Sequence, residues 1–187
     1  DAYIATGSDN SARYFDYYFG KYPHIIRKNR TSVAILNGKE SEADLELLAK
    51  DIFTYYGLGC RNVSKVFFSD ISQIQDFMKA MEKVNEALEH HKYFNNYEYN
   101  KSKYLINSIP HYDNGHLLLV ESKDFLFGLP TTSDLQESLA GLEGKIQCLV
   151  SKDGWFNESI ALGSAQAPEV NDYADKVDTL KFLLELN

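Results

Sequence analysis

Apolar positions in the first third of the chain switch between two periods. From Ser8 to Tyr22 the aromatics Tyr14, Phe15, Tyr18, Phe19 and Tyr22 recur at helical spacing, behind Ser8 or Asp9 as N-cap. Pro23 ends that helix, and Ile25-Ile26 predicts a short strand. Ser32-Val33-Ala34-Ile35-Leu36 is a second apolar strand, closed by the turn signal Asn37-Gly38. Ser41 with Asp44 forms a capping box, and Leu45, Leu48, Ile52 and Phe53 make the apolar stripe of the helix behind it. Gly57 and Gly59 are expected to stop that helix, and Val63 to Phe68 reads as the next strand. Asp70 with Gln73 resembles a further cap, opening a long helix through Ile74, Phe77, Met78, Met81, Val84 and Leu88. From His90 to Lys103 the pattern turns polar and tyrosine-rich, and no element is assigned. Beyond it, His116 to Val120 and Phe125 to Leu129 read as strands, and Ser133 with Gln136 as the cap of a short helix. Lys145 to Val150 is the last strong strand, and Val177 to Leu186 reads as a docked terminal helix. Strands alternating with helices of this length predict an α/β fold, a largely parallel sheet with flanking helices.

Composition narrows the partners. At 187 residues and 44% hydrophobic, the chain is long enough for one domain with a sizeable core. With 27 acidic against 19 basic residues its net charge is −8, which argues against nucleic acid or an anionic membrane as main partner. No apolar run approaches the roughly 18 residues that a membrane-spanning helix needs. Two cysteines in this length are not a disulfide framework and fit a reducing, cytoplasmic setting. The sequence opens at Asp1 rather than at a methionine, so a preceding N-terminal part is expected.

The segment that concentrates chemistry is Tyr56-Gly57-Leu58-Gly59-Cys60-Arg61-Asn62-Val63-Ser64. Here a cysteine sits in a glycine-flanked turn between a capped helix and a strand. Glycines leave room for a substrate at the sulfur and free backbone N–H groups for an oxyanion. Arg61, and Lys65 beyond it, would favour the thiolate. The competing reading is a small apolar turn residue, because glycine is also the ordinary helix terminator. Cys148, inside Ile146-Gln147-Cys148-Leu149-Val150, reads as a core residue. None of the five histidines pairs with a cysteine or carboxylate at metal-ligand spacing, so no metal site is expected. Lys21, Arg27, Lys28 and Arg30, with His24, form a cationic island free of acids from Asp16 to Glu40. That island is either a phosphate receiver or a solvated edge of the sheet. Thr6-Gly7-Ser8 ahead of the first helix could bind an anion, or simply cap the helix.

Taken together, these segments resemble the acyl-CoA reductase family, the type of the bacterial bioluminescence fatty-acid reductase component, a branch of the aldehyde dehydrogenase superfamily. The resemblance runs from Ala5-Thr6-Gly7-Ser8 through Tyr18-Phe19-Gly20-Lys21-Tyr22-Pro23 and Arg27-Lys28-Asn29-Arg30 to Gly57-Leu58-Gly59-Cys60-Arg61-Asn62-Val63-Ser64-Lys65. It resumes at Gly163-Ser164-Ala165-Gln166-Ala167-Pro168, Asp172-Tyr173-Ala174-Asp175 and Val177-Asp178-Thr179. It implies a three-layer, aldehyde-dehydrogenase-like catalytic domain in which Cys60 attacks an acyl-CoA thioester. Coenzyme A departs, an acyl-cysteine forms, and hydride from NADPH (or NADH) releases the aldehyde. On this basis Thr6, Gly7 and Ser8 contact the dinucleotide, while Gly59 and Arg61, from the glycine turn itself, are candidates for oxyanion and turn support. Arg27, Lys28 and Arg30 stand as candidates for phosphate contact.

Two departures from the superfamily pattern carry consequences. Aldehyde-oxidising relatives place a glutamate where this chain reads Arg27-Lys28-Asn29-Arg30-Thr31. Deacylation by water needs such a base, so its loss favours acyl reduction over aldehyde oxidation. The second departure is that the family's N-terminal dinucleotide-binding half, with the asparagine that completes the oxyanion hole, precedes the matching region. The isolated chain is therefore expected to be inactive or weakly active. An apolar face left uncovered could support homo-oligomers. Two alternatives stand beside the reductase: a cysteine acyltransferase or thioesterase pairing Cys60 with a histidine, and a degenerate, non-catalytic interaction domain.

Overall fold

A computed structural model describes residues 1–84, 86–121, 132–142 and 144–186. The expected strand at Phe125 to Leu129 lies outside them. The described chain opens with β1 (Tyr3–Thr6), α1 (Asp9–Phe19) and β2 (His24–Arg27). These form a parallel pair with its own helix, in register Tyr3 to His24 through Thr6 to Arg27. Ser8 is the cap of α1, its Oγ accepting from the Ser11 amide at 3.2 Å.

The main body is a four-stranded, all-parallel sheet. Strand β3 (Thr31–Leu36) leads through α2 (Glu42–Phe53) to β4 (Val63–Phe68). After α3 (Gln73–Met81), α4 (Glu86–Glu89), α5 (His91–Ile106), the hairpin β5 (His111–Asp113) and β6 (Leu118–Val120), and α6 (Thr132–Ala140), the chain returns as β7 (Ile146–Ser151). Then come β8 (Ser159–Ala161) and a final α7 (Thr179–Leu184). The order across the sheet is β4-β3-β7-β8, and β5 and β6 pair antiparallel on their own.

Alternation along the central strand distributes the core. Val33 and Ile35, with Phe67 of β4, pack on Leu135 and Leu142 in and after α6. Ala34 and Leu36, with Phe68 and Val150, pack on Leu45, Leu48 and Ile52 of α2 and on Ile74, Phe77 and Met81 of α3. Helices therefore flank both faces. Full burial of a Leu, Phe or Met contributes about 1.5–3 kcal/mol, and Leu48, Phe67, Phe77 and Met81 are all fully buried.

The capping box at Ser41 and Asp44 forms as expected: Ser41 Oγ accepts from the Asp44 amide, and Asp44 Oδ2 accepts from the Ser41 amide at 2.7 Å. Gln73 reaches back to the amides of Ser69 and Asp70, so those residues interact, although α3 starts only at Gln73. Five expectations need correction. The terminal helix α7 (Thr179–Leu184) buries none of its residues and leaves Leu180, Leu183 and Leu184 exposed, so it is not docked through an apolar face. Helix α2 ends at Phe53, before the glycines, and passes into a single 3-10 turn over Thr54–Gly57 with Tyr55 and Tyr56 at φ 54° and 59°. The long helix to Leu88 is interrupted after Met81. Ala87 and Val84 still face the core, so the apolar spacing runs on through the break. Ser133 lies within α6 rather than ahead of it. The tyrosine-rich stretch is a 16-residue helix, with His90 as its cap.

Candidate functional site: a cysteine turn facing a cationic cleft

Cys60 lies where α2 hands the chain to β4. Gly59 and Asn62 close the turn around it. The Asn62 amide donates to the Gly59 carbonyl at 3.0 Å, and the Gly59 amide donates to Asn62 Oδ1 at 2.8 Å. Asn62 Nδ2 then donates to the carbonyls of Asp51, Ile52 and Thr54, at 3.1, 3.1 and 2.7 Å. One buried amide side chain thus occupies carbonyls that the end of α2 leaves open and bolts the turn to the helix. A Cβ at Gly59 would stand 2.9 Å from Asn62 Oδ1, so the glycine makes room for this asparagine. Beneath the turn, the fully buried Ser32 donates from Oγ to the Cys60 carbonyl at 2.9 Å. Cys148 Sγ lies 3.0 Å from the same Oγ. Burial pushes the Cys148 thiol above its ordinary value, as expected of a core cysteine, whereas Cys60 is exposed.

Cys60 opens onto a cleft of about 500 Å³. The cleft lies between the carboxyl ends of β1 and β2 and the amino ends of β3, β4 and β7. Thr6, Gly7, Arg27, Lys28, Arg30, Gly59 and Cys60, all singled out from the sequence, line it, together with Gln147, Ala174 and Asp175. The structure thus brings together residues up to 54 positions apart in that set. Ser8 is spent on capping α1 and does not line the cleft.

Arg61 differs from expectation. Its guanidinium leaves the cysteine and clasps the segment near the end of the chain: Nε donates to the Ala165 carbonyl, and Nη2 lies 2.9 Å from Asp172 Oδ2. Its charge is thus committed to Asp172 and to holding that segment. Lys65 lines a separate apolar cavity rather than the cleft.

The cationic island, acid-free in sequence, is not acid-free in space. Arg30 Nε lies 3.0 Å from Asp175 Oδ1, with both side chains largely buried, and Lys28 pairs with Asp16 at 3.6 Å in solvent. Arg27 Nη2 donates to Thr179 Oγ1 at 3.0 Å. Three arginines from two parts of the chain therefore end on residues 165–179, which form a strap along one wall of the cleft. Asp175 and Gln147 were not foreseen, because each depends on a partner distant in sequence, and Asn62 was not, because its partners are the backbone groups of a turn whose path the sequence does not specify. The Asp175 amide, for instance, donates to Gln147 Oε1 at 3.2 Å.

The strap is anchored from behind by Asp51. This carboxylate, fully buried on α2, accepts from the amides of Gly163 and Ala165 at 2.6 and 2.9 Å. Burial raises its pKa, and the two amides and the nearby Arg61 charge oppose that rise.

No histidine lines the cleft among the described residues, and its one lining carboxylate, Asp175, is paired with Arg30. No group of three or more metal-ligating side chains occurs among the described residues. No described helix is long and apolar enough to cross a membrane.

No protein-family model matches the sequence, and no curated protein does either.

Proposed function

We propose that this chain is the cysteine-bearing catalytic part of an NAD(P)H-dependent acyl-CoA reductase, with the three-layer, aldehyde-dehydrogenase-like architecture that its resemblance implies. The observation that carries the reading is the shared cleft. Thr6, Gly7 and Cys60, which the resemblance assigns to cofactor and nucleophile, all face it, with Arg27, Lys28 and Arg30 of the cationic island. Next to it, an apolar cavity of about 140 Å³ lies between β4 and residues 117–121. Ser64 lines both spaces, and in this reading the apolar cavity takes the acyl chain.

In this reading the Cys60 thiolate attacks the thioester carbonyl. The carbonyl oxygen takes the negative charge, and the C–S bond to coenzyme A breaks as the acyl-cysteine forms. Thr6 and Gly7 would hold the dinucleotide ahead of α1, and Arg27, Lys28 and Arg30 would face its phosphates or those of coenzyme A. Reduced nicotinamide, when bound, supplies the hydride that releases the acyl group as aldehyde. Among the described residues that line the cleft, the one carboxylate, Asp175, is already paired and none is a histidine, which supports protection of the acyl-enzyme from water. That same absence weighs against the acyltransferase or thioesterase alternative.

The test is intact-protein mass spectrometry after incubation with a long-chain acyl-CoA, on wild type and Cys60→Ala, followed by free coenzyme A. A single adduct that is absent from the variant and discharged by coenzyme A is expected. Addition of NADPH and an N-terminal nucleotide-binding half should then yield aldehyde. Adduct formation that persists in Cys60→Ala would sink the assignment.

A further inference from the structure

The peptide joining Cys60 to Arg61 is held from one side only. Its carbonyl accepts from Ser32 Oγ at 2.9 Å, beneath the turn. The Arg61 carbonyl faces the same side, 4.0 Å from Cys148 Sγ. A serine hydroxyl has one proton, and Ser32 gives it to Cys60. Cys148 Sγ, 3.0 Å from the same Oγ, has its own proton within reach of the Arg61 carbonyl. Cys148, Ser32 and the Cys60 carbonyl thus form one buried polar cluster that crosses from β7 through β3 to the turn.

Carbonyl and N–H point in opposite directions across a trans peptide, and no cis bond occurs in the described chain. With the Cys60 carbonyl drawn inward, the Arg61 N–H of the same peptide points away from the core. It has no hydrogen-bond partner among the described residues, whereas the next amide, of Asn62, is taken by Gly59. A backbone donor one residue beyond the nucleophile, unpaired and fixed in direction, has the character of an oxyanion donor.

We infer that Ser32 is the positioning residue of the Cys60 site: its hydrogen bond to the Cys60 carbonyl aims the Arg61 N–H at the oxygen of an acyl group under attack. The inference rests on the acyl-enzyme reading above and assigns a residue to it. Ser32 touches no substrate. It acts through the peptide that it orients.

The experiment compares two reactions of the same sulfur. Acylation by p-nitrophenyl acetate or an acyl-CoA passes through an oxyanion, while alkylation by iodoacetamide, a displacement at saturated carbon, does not. For Ser32→Ala, acylation should slow by about tenfold or more, the scale on which a lost or misdirected oxyanion donor acts, with alkylation within about twofold of wild type. Cys148→Ala disturbs the same buried cluster yet leaves the Ser32 to Cys60 bond in place, and both its rates should stay within about threefold of wild type. Three results would overturn the inference: equal acylation by wild type and Ser32→Ala, a parallel fall of both rates in Ser32→Ala, or a loss in Cys148→Ala as large as that in Ser32→Ala. If wild type reacts with the nitrophenyl ester but not with acyl-CoA, the acyl-CoA reading falls while the Ser32 comparison is still read on the ester. Inertness toward both reagents would overturn the two together.

Discussion

The carboxylate of Asp51 accepts a 2.6 Å hydrogen bond from the amide of Gly163, 112 residues further along the chain. Its other oxygen takes the Ala165 amide, so one side chain on α2 determines where the strap begins. Gly163, at φ 84°, brings its backbone against Leu47, where a Cβ would sit 2.9 Å from the leucine side chain. Asp51→Ala should cost about 3 kcal/mol, because two buried amides lose their acceptor, and Asp51→Asn should cost less because one acceptor remains. Urea unfolding midpoints check the order. An alanine variant as stable as wild type would show that water replaces the carboxylate without penalty.

Acid should act on Asp44 and Asp51 with opposite sign. The Lys152 ammonium and the Ser41 amide and hydroxyl hold the Asp44 carboxyl down, to about 2 from an ordinary 3.8. The unfolded chain then takes up that proton first, so the stabilisation from Asp44 is complete above about pH 4 and fades as pH falls toward 2. Asp51, raised by burial, binds its proton more tightly folded than unfolded. Its contribution therefore declines as pH rises through the window above 3.8. The gap in unfolding free energy between wild type and Asp44→Asn should narrow between pH 5 and pH 2. For Asp51→Asn the gap should widen over the acid side of the same titration.

Asn62 gives a sharper test of the cysteine turn than the glycines do. Replacement by alanine strips three carbonyls of their donor and the Gly59 amide of its acceptor. Replacement by aspartate restores the acceptor but sets a carboxylate oxygen against those carbonyls. Asn62→Asp should therefore be the less stable of the two by about 1–2 kcal/mol, despite its closer shape. Thermal melts of the pair decide it. Equal midpoints would mean that the carbonyls are satisfied without the side chain.

Release of the strap should be visible to trypsin. Lys176 is exposed, at φ 57°, next to Asp175 at φ 60°, and the Arg30 pair is the buried attachment nearest to both. Arg30→Ala should raise the rate of cleavage after Lys176 by about tenfold at unchanged far-ultraviolet circular dichroism, as local opening becomes easier. An unchanged rate would assign the hold to the other attachments, Arg27, Arg61, Gln147 and Asp51.

Sequence patterning resolved the β3-α2-β4 unit well, because its signals are local: the Ser41 and Asp44 box, the stripe of Leu45, Leu48 and Ile52, and the run Val33 to Leu36. It missed α5, whose core-facing contribution comes from Tyr93 and Tyr97. Those residues also carry hydroxyls bonded to the His116 carbonyl and to Asp113, so they register as polar as much as apolar. It missed β8, three residues at the sheet edge reached through a tight return with Asp153 and Glu158 at positive φ. At the site, Cys60 and its glycines were legible because they are contiguous. The pairing of Arg30 with Asp175 and the turning of Arg61 toward Asp172 were not, since sequence spacing carries no information on contacts across more than a hundred residues.

Those contacts set an order of assembly. Arg27 waits 152 residues for Thr179, and Arg61 waits 104 and 111 residues for Ala165 and Asp172. During synthesis the β3-α2-β4 unit can collapse while these arginines have no strap to grip, and the cleft's strap wall arrives only once residues 165–179 have been made. For that interval the nascent protein carries an open, cation-lined notch beside a thiol. Release of the chain before Ala165 would leave the notch in that state, with none of the three arginines paired to the strap.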